Sequence, residues 1–511
     1  MNYTILQNKA NSRNRSSSAR PHSPIRGWSV QDRTMRLLTF CLCTCLLPAS
    51  DWPRFRGPNG AGISPDHGLP TEISEDRNVL WKQKTPKGNS SPVVVGNRLW
   101  ITGHEGGERI VLCYDVSKGS LVWRRSVTQA RDEKPNPMNG PTTPTPATDG
   151  KSIFVFFPDF GLLAYDFDGK ELWRVPLGPF GGIQGIAVSP VYTDGNVVLL
   201  IDTPEQAYLA AFDAATGKQI WKADRPLGFL GSYTTPALYK PSSGPTQIVV
   251  AGAVELTGYQ ATTGERLWWA RGVSNGPAAP PLIAGDSVYT LEPAGEGGAP
   301  PFKDMLGMFD KNKNGKVELS EISGDTVNDK IMYRLFKSID KISGNGDGVV
   351  TEEEWNHAFS PDNPGGGLVR TRINGKGDVS RTHVAWRYTK GLPYVTGALL
   401  YENVLYVISS GGILTTLNPD TGEVLRKERL KDGIGDYYAS PIAGDGKIYF
   451  INHDGKTTVL RAGATWDTLS SGDLDEVVIA TPAIAGTRIY VRTEGTLYCF
   501  GTRGQEAVKK S

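Results

Sequence analysis

The segment DKNKNGKVELSE at 310–321 places oxygen donors at the spacing that a calcium-binding loop requires. Side-chain oxygens stand at loop positions 1, 3, 5, 9 and 12, position 7 offers a main-chain carbonyl, and a glycine at position 6 permits the sharp turn. A hard cation needs this many oxygen ligands from one short segment, so the sequence predicts calcium binding; the alternative is a solvated acidic turn. The predicted ligands are Asp310, Asn312, Asn314, Lys316, Glu318 and Glu321.

A second loop of similar type follows within DKISGNGDGVVTEEE, and we predict a second, degenerate calcium site there. Its position 1 falls on Ser343, a poor ligand, unless extra residues let Asp340 reach into the loop. The predicted ligands of this site are Asp340, Asn345, Asp347, Val349 and Glu354. Because calcium can be plentiful outside the cell, we expect both sites to act as a structural clip rather than as a sensor.

Helical segments flank the two loops. Apolar residues recur at helical spacing before the first loop, at Phe302, Met305 and Phe309, and the sequence changes there from a period of 2 to a period of 3.6. Val317 and Val350 both occupy loop position 8, where they are expected to pair the loops. We therefore assign 302–371 to a small α-helical EF-hand pair.

Outside this segment the chain repeats itself, and the repeat identifies the elements that must position the loops. A Gly-x-x-x-Trp pattern ends at Trp123, Trp173, Trp221 and Trp268, at intervals of 50, 48 and 47 residues, and the next one, Trp386, follows after 118 residues. Self-similarity at about 40–50 residues is typical of propellers. The long interval therefore places the insertion in the fifth repeat. Each tryptophan is expected to pack against the neighbouring blade.

Eight short segments, all but one with a proline, open the repeats. They are SSPVVV (90–95), PTPAT (144–148), VSPVY (188–192), TTPALY (234–239), APPLIA (279–284), VTGALLY (395–401), ASPIA (439–443) and ATPAIA (480–485). The last repeat has only three strands, and NVLWKQKT (78–85) is predicted to supply the fourth, which would remove exposed sheet edges. The expected fold is all-β: an eight-bladed β-propeller of four-stranded antiparallel blades, closed by an N-terminal strand, with the helical pair inserted in blade 5.

The Ser/Thr-Pro strand, the Asp-x-x-Thr-Gly turn and the Gly-x-x-x-Trp strand together resemble the pyrroloquinoline-quinone (PQQ) repeat. This class includes quinoprotein alcohol dehydrogenases and the outer-membrane assembly lipoprotein BamB, and the resemblance covers about 79–301 and 372–502. The segment DWPRFRGPNGAG (51–62) also looks like the opening of secreted bacterial propellers of this class. The resemblance implies a propeller but not an activity, because one fold hosts many functions.

The chain ends are assigned separately from the propeller. The apolar run 37–47 followed by small residues is typical of a secretory signal and too short to span a membrane. Residues 1–34 are interpreted as an over-extended start, with a long disordered leader as the alternative. We expect an exported protein of the periplasm, envelope or extracellular space. The predicted segments are 1–50 (leader and signal), 51–77 (N-terminal arm), 78–301 (first part of the propeller), 302–371 (insertion), 372–502 (second part) and 503–511 (tail).

Charge and cysteine content narrow the class of protein. Of the 55 basic and 53 acidic residues, 7 and 1 lie in the first 50 positions, which leaves 48 and 52 in the rest of the chain. That balance argues against nucleic-acid binding. Cys113 and Cys499, the two cysteines beyond the signal, are expected to be buried free thiols, and the protein is expected to be a monomer.

Neither a Gly-x-Ser-x-Gly elbow nor a His-Glu-x-x-His motif occurs in the sequence. We therefore expect a non-catalytic binding or scaffold protein that takes a protein, peptide or glycan through the propeller face. The alternative is a PQQ-dependent dehydrogenase of alcohols or sugars; many such enzymes carry adjacent cysteines, which this chain lacks. Arg54 and Arg56 are expected in surface ion pairs. Four tyrosines beside the blade starts are expected to serve packing rather than ligand contact: Tyr233, Tyr394, Tyr437 and Tyr438.

Overall fold

The computed structural model describes residues 50–128, 131, 139–180, 184–229, 231–274, 276–293, 299–359 and 366–502. Within these ranges the strands form eight four-stranded antiparallel blades, one of which gains a fifth, parallel strand. This confirms the predicted all-β, eight-bladed propeller. The predicted tail 503–511 and all of the predicted leader except Ser50 lie outside the described residues.

Each blade runs outward from its first to its fourth strand. The strands are, in blade 1, Val93–Val95, Arg98–Glu105, Glu108–Asp115 and Leu121–Thr128; in blade 2, Ala147–Thr148, Ser152–Phe157, Gly161–Asp166 and Glu171–Pro176; in blade 3, Val191–Thr193, Asn196–Asp202, Ala207–Asp213 and Gln219–Asp224; in blade 4, Ala237–Tyr239, Gln247–Ala251, Glu255–Gln260 and Arg266–Arg271. They are, in blade 5, Leu282–Ala284, Ser287–Glu292, Gly367–Arg372 and Val384–Tyr388; in blade 6, Leu399–Tyr401, Val404–Ser409, Ile413–Leu417 and Val424–Arg429; in blade 7, Ile442–Gly444, Lys447–Ile451, Lys456–Arg461 and Asp467–Asp473; in blade 8, Ala483–Ala485, Arg488–Arg492, Thr496–Gly501 and Val79–Lys84.

Tight turns join the first two strands of the blades. At Asp194-Gly195 and Asp445-Gly446 both residues have positive φ, of 50° and 80° and of 55° and 67°. This is the conformation of a type I′ turn, for which Asp-Gly is a preferred sequence. The hydrophobic core lies between neighbouring blades, as where Phe154 of blade 2 stacks on Tyr192 of blade 3.

The chain ends close the ring as the sequence predicts. Strand Val79–Lys84 pairs antiparallel with Thr496–Gly501, so that Trp81 lies opposite Cys499. The first strand of the propeller in sequence is thus the outermost strand of the last blade. The closure leaves no unfinished blade between blades 8 and 1.

Tryptophan side chains join most of the blades at their outer strands. Each indole Nε1 donates a hydrogen bond of 2.9–3.2 Å to a carbonyl of the next blade, and the indole ring covers a turn glycine there. A Cβ on any of these glycines would come within 2.5–2.7 Å of the ring, so only glycine fits. The tryptophans and the glycines they cover are Trp81 on Gly119, Trp123 on Gly169, Trp173 on Gly217, Trp221 on Gly264 and Trp386 on Gly422.

The other three junctions lack this contact among the described residues, and two of them show what takes its place. Between blades 6 and 7, Arg426 takes the place of the tryptophan, donates to the Trp466 carbonyl at 2.8 Å and lies 4.2 Å from the Trp466 ring. Trp268 of blade 4 bonds to Gln247 of its own blade at 2.8 Å. There Gly377–Asp378 of blade 5 adds a parallel fifth strand to blade 4.

The insertion leaves blade 5 between its second and third strands. It contains helices α1 (Phe302–Phe309), α2 (Val327–Ser343) and α3 (Glu352–Phe359), with the short strands Val317–Glu318 and Val349–Val350 between them. The third strand, Gly367–Arg372, pairs with the second along its whole length. Most of this strand falls inside the range 302–371 that the sequence assigns to the insertion, and the structure places it in the blade.

Candidate functional site

The first loop of the insertion turns its acidic ends inward. The Asp310 carboxylate accepts hydrogen bonds from the main-chain N–H groups of Asn314 and Gly315, at 3.1 and 2.9 Å. At the other end of the loop, the Glu321 carboxylate accepts from the N–H of Asn312 at 3.0 Å and from that of Glu318 at 3.0 Å. The first and last predicted ligands therefore face a common centre.

Amide and carboxylate side chains fill the space between these ends. Glu318 accepts hydrogen bonds from the Asn314 and Asn312 amides at 2.8 and 3.3 Å. The N–H of Glu318, and then those of Asn312 and Lys311, lower the pKa of the Glu321 carboxyl against the opposing effect of burial. Glu321 is therefore held in the charged form that a cation requires.

The second loop repeats this arrangement, but more residues separate its first carboxylate from the turn glycine. The Asp340 carboxylate accepts a hydrogen bond of 3.1 Å from the N–H of Gly348, as Asp310 does from that of Gly315 in the first loop. The separation is eight residues instead of five, because Asp340 lies in the last turn of α2, and from there Asp340, not Ser343, takes the first position. Asp340 is 5% exposed, and its Oδ1 has no hydrogen-bond partner among the described residues.

The far end of the second loop also matches the first. Glu354 accepts hydrogen bonds from the N–H of Asn345 at 3.2 Å and from that of Thr351 at 2.9 Å, and Asp347 accepts from that of Val349 at 2.9 Å. The predicted ligands of the second loop, including the Val349 main chain, thus lie together.

The two loops are joined back to back. Val317 and Val350 pair in an antiparallel bridge and both are fully buried, as the sequence predicts. Among the residues that the structure describes, no three His, Cys, Asp or Glu side chains converge as a metal-binding group. Both loops combine carboxylates with amide and main-chain oxygens, which is the donor set that calcium prefers.

The insertion is anchored to blades 3 and 4. Phe229, on the connection between these blades, packs against Trp355 and Phe359 of α3 with ring centroids 5.9 and 5.6 Å apart. The N–H of Leu227 donates to Ser338 of α2 at 3.0 Å. The inserted helices therefore cover the connection that leads into the first strand of blade 4.

A polar contact ties the second loop to the ring. The Arg271 guanidinium at the end of blade 4 donates to His357 Nε2 of α3 at 2.8 Å and pairs with Asp378 at 3.0 Å. His357 Nδ1 lies 3.0 Å from the carbonyl of Ser343. Since Nε2 accepts from a guanidinium, Nδ1 carries the proton and donates to that carbonyl.

A cavity of about 230 Å³ lies in the central channel and defines the second candidate site, the channel pocket. It is lined by the chain just before the first strands, so it opens at the end of the ring where strand 4 connects to the next strand 1. In an antiparallel blade the connection between strands 2 and 3 lies at this same end, so the insertion and the pocket mouth share one face of the propeller. Phe55 of the N-terminal arm also lines the pocket.

Hydroxyl groups link the blades around the channel. The residue two places before each first strand, here called the ring position, is a serine or threonine in six blades, and at five junctions its main-chain N–H donates to the next hydroxyl at 2.9–3.0 Å. The repeated Ser/Thr-Pro signature therefore serves ring assembly. The eight ring positions are Ser91, Thr145, Ser189, Thr235, Pro280, Gly397, Ser440 and Thr481.

The residue two places before each ring position lines the channel pocket in all eight blades. We call these the wall positions. Their shared role in lining the channel was not predicted from the sequence, although each of them stands two residues before a ring position, and this constant spacing was a usable signal. The eight wall positions are Asn89, Thr143, Ala187, Tyr233, Ala278, Val395, Tyr438 and Ile479.

Three of the four rim tyrosines line the pocket, and the packing role predicted for them stays a prediction. Tyr233 and Tyr438 are wall positions, and Tyr394 lines the pocket with 41% of its surface exposed. Tyr437 points away from the pocket: it is 7% exposed and its hydroxyl donates to the Gly433 carbonyl at 2.6 Å. The difference arises because alternate residues of an extended segment point to opposite sides.

The prediction of surface ion pairs for Arg54 and Arg56 is wrong. Both side chains are buried and donate to carbonyls at 2.6 Å, Arg54 to Pro236 and Arg56 to Ala398, and no carboxylate lies within 4.0 Å among the described residues. Burial lowers the pKa of each guanidinium to about 10. A Cβ at Gly397 would lie 1.8 Å from Arg56 Nη1, which explains the glycine at that ring position. The arm thus closes the far end of the channel.

The two cysteines of the described chain are free and buried, as predicted. Cys113 lies in the third strand of blade 1 and Cys499 in the third strand of blade 8. Burial raises the pKa of each thiol to about 12. They are inert core residues at neutral pH.

Known proteins share this architecture. Outer membrane protein assembly factor BamB of Burkholderia pseudomallei is 24% identical over 76% of this chain and 90% of its own length. Polyvinylalcohol dehydrogenase of a Pseudomonas species is 27% identical over 32% of this chain, a match that spans only 28% of the dehydrogenase. The crystal structure of quinohemoprotein alcohol dehydrogenase from Comamonas testosteroni superimposes with a TM-score of 0.56 at 12% identity, covering 90% of this chain and 82% of that one.

No helix in the described ranges has the length and apolar character needed to cross a membrane.

The family comparison concerns a whole class of proteins and not one relative. A family model described as outer membrane protein assembly factor BamB matches residues 71–199, 135–333 and 375–511, which together make up most of the chain. The chain belongs to this family of PQQ-like-repeat β-propellers.

Proposed function

We propose that this protein is an exported binding scaffold that holds a partner protein, peptide or glycan at the propeller face around the channel pocket. The observation that carries the proposal is the form of that pocket: a mouth on one face, a floor at Phe55, and a wall built at the same register from all eight blades. A concave site with converging polar and aromatic groups is the usual form of a binding site. The relative that matches most of its own length is an assembly factor by name.

We further propose that each inserted loop binds one calcium ion. The support is the inward-facing carboxylates at both ends of each loop, Asp310 with Glu321 and Asp340 with Glu354. Because the ions would hold the loops in the folded form only, calcium stabilises the insertion by mass action. In a calcium-rich compartment it acts as a structural clip on the face that surrounds the pocket.

The alternative, a quinone-dependent dehydrogenase, finds little support in the pocket lining. PQQ carries three carboxylates and would need cationic partners. Among the described residues that line it there is no lysine or arginine, and His453 is the only basic side chain. The pocket therefore does not suit this cofactor. Dye reduction by the purified protein with an alcohol or sugar, after addition of PQQ and calcium, would reverse this conclusion.

Photo-crosslinking tests the scaffold proposal. A photoreactive amino acid placed at position 394, at the pocket mouth, is expected to capture one partner from living cells that export the protein. The matched control is position 220 on the outer strand of blade 3, where Ile220 is 49% exposed. Equal capture at both positions, or none at 394, contradicts the proposal.

Calorimetry and thermal melting test the calcium sites. Wild-type protein is expected to bind two calcium ions per chain and to melt at a lower temperature in chelator. Glu321→Gln and Glu354→Gln are each expected to remove one ion, whereas Glu353→Gln, an exposed neighbour, keeps both. Unchanged binding in both variants would contradict the assignment.

A further inference from the structure

The channel pocket has an electrically neutral wall. None of the eight ring positions and none of the eight wall positions carries a charged side chain. The other lining residues in the described part of the chain are also uncharged, apart from the titratable His453. Moving a charged ligand from water into such a site without a counter-charge is costly. The pocket therefore favours a neutral ligand.

The main chain of the pocket is occupied with holding the ring. The N–H groups of Ser91, Thr145 and Ser189 donate to the hydroxyls of the neighbouring blades. Recognition of an extended peptide by strand addition depends on main-chain groups at a free strand edge. Because these three donors are already used, side chains are the groups left to recognise a ligand at these ring positions.

The side chains that remain both donate and accept hydrogen bonds. The Thr145 hydroxyl accepts a main-chain N–H and retains its own O–H for donation, and the amides of Asn89 and Gln184 offer both functions. Aromatic rings also line the pocket, among them Phe55 of the N-terminal arm and Tyr394, which is 41% exposed. A ligand that suits this lining has many hydroxyl groups around an apolar ring face.

The dimensions of the pocket limit how much of such a ligand enters. Its 230 Å³ lies below the roughly 300–1,000 Å³ typical of sites that enclose a drug-sized molecule. Phe55 and the two buried arginines close the far end, so that a chain cannot thread through the ring. Only the end of a chain fits.

We propose that the channel pocket binds the terminal unit of a neutral saccharide. One sugar ring lies against the tyrosines at the mouth, and its hydroxyls bond to the ring hydroxyls and the wall amides. The rest of the glycan leaves through the open face beside the insertion. This inference rests on the proposed function, because it names the ligand class of the same binding face.

Glycan and peptide arrays test the ligand class on the full exported chain in calcium. We expect binding to neutral glycans that share one terminal sugar, with an affinity that stops rising once the glycan exceeds a few units. Binding only to acidic glycans, binding to a peptide that competes for the pocket, or binding to no glycan would each overturn the proposal.

Two variants show whether binding occurs in the pocket. Tyr394→Ala and Tyr438→Ala are expected to weaken binding of the selected oligosaccharide at least about tenfold, which corresponds to about 1.4 kcal/mol. Ile220→Ala, on the outer strand, is expected to leave it unchanged. Equal affinity in all three variants would place the glycan elsewhere and overturn the proposal. Partner capture at position 394 without glycan binding would refute this ligand class but not the scaffold function.

Discussion

The propeller ring and the insertion are held together in different ways. The ring repeats two contacts, a hydroxyl accepting an N–H at the channel and a tryptophan donating to a carbonyl at the rim, at five junctions each. The insertion has one core around Phe336 and Trp355, and the ring contributes Ala207, Leu227 and Phe229 to it. Stability in a repeat array is approximately a sum of neighbour terms. Loss of one contact in the ring therefore weakens one of many similar junctions, whereas loss of one contact in the insertion weakens its whole core.

The largest effect is expected at the closure of the ring, where the strand Val79–Lys84 completes blade 8 beside blade 1. Trp81→Ala removes the contact of the closing strand with Val116 and Gly119 of blade 1 and should lower the free energy of unfolding by about 3 kcal/mol. Urea denaturation measures the loss, and hydrogen exchange should rise in Val79–Lys84. Trp123→Ala is the control, because it removes the equivalent contact between blades 1 and 2. If hydrogen exchange rises as much in the outer strand of blade 1 as it does in the closing strand, the closure is no weaker than an internal junction.

A smaller effect is expected at the anchor of the insertion. Phe229→Ala should lower the melting temperature of α2 and α3 and leave the ring intact, because it removes packing against Trp355 and Phe359. The expected loss is about 2 kcal/mol, confined to the insertion. Hydrogen exchange of Val327–Ser343 measures it, with Leu172→Ala on an exposed outer strand as the control. A single melting transition for the whole variant would mean that ring and insertion unfold as one unit.

A smaller loss of stability is expected when one hydrogen bond between neighbouring ring positions is removed. Thr145→Val keeps the shape of the side chain but removes the acceptor for the Ser91 N–H, which is buried. Loss of a partner for one buried donor costs about 1–2 kcal/mol. Chemical denaturation should show this loss without a change in the slope against denaturant. A loss as large as that of Trp81→Ala would show that the inner ring dominates assembly.

The smallest effect is expected on the pH dependence of stability, and it arises from His104. Burial, then the charges of Arg109 and Arg492, lowers the pKa of His104 below its usual 6.5. The unfolded chain therefore takes up this proton first, so stability falls as pH drops below about 6.5 and is unaffected above it. His104→Gln should flatten that part of the profile, measured as urea midpoints between pH 7.5 and 5. A steeper profile in the variant would contradict the sign.

The repeated parts of the structure were predictable from the sequence and the unique parts were not. The Gly-x-x-x-Trp spacing predicts a propeller and the opening segments predict eight blades, because each signal recurs along the chain. The three-stranded last repeat then predicts closure by 78–85. The burial of Arg54 and Arg56 has no local signal: Arg54 bonds to Pro236, 182 residues away, and Arg56 bonds to Ala398, 342 residues away. The parallel strand at Gly377–Asp378 likewise arises only from contact with another blade.

The candidate sites show the same limit. The ligand spacing of both loops was readable, but the choice of Asp340 over Ser343 depended on how far α2 extends, since Asp340 lies in its last turn. The roles of Tyr233 and Tyr438 depended on which side of an extended segment faces the channel. Side-chain direction at such positions follows from register, which the isolated sequence does not specify.

The closing strand also sets the order in which the molecule can mature. Val79–Lys84 is made before its partner Thr496–Gly501, and more than 400 residues separate the two strands. Contacts between such distant segments form slowly, because the intervening chain must first be ordered. Until then the early strand presents an unpaired edge, which is a site of misassociation. A newly made chain therefore carries this exposed edge until Thr496–Gly501 pairs with it.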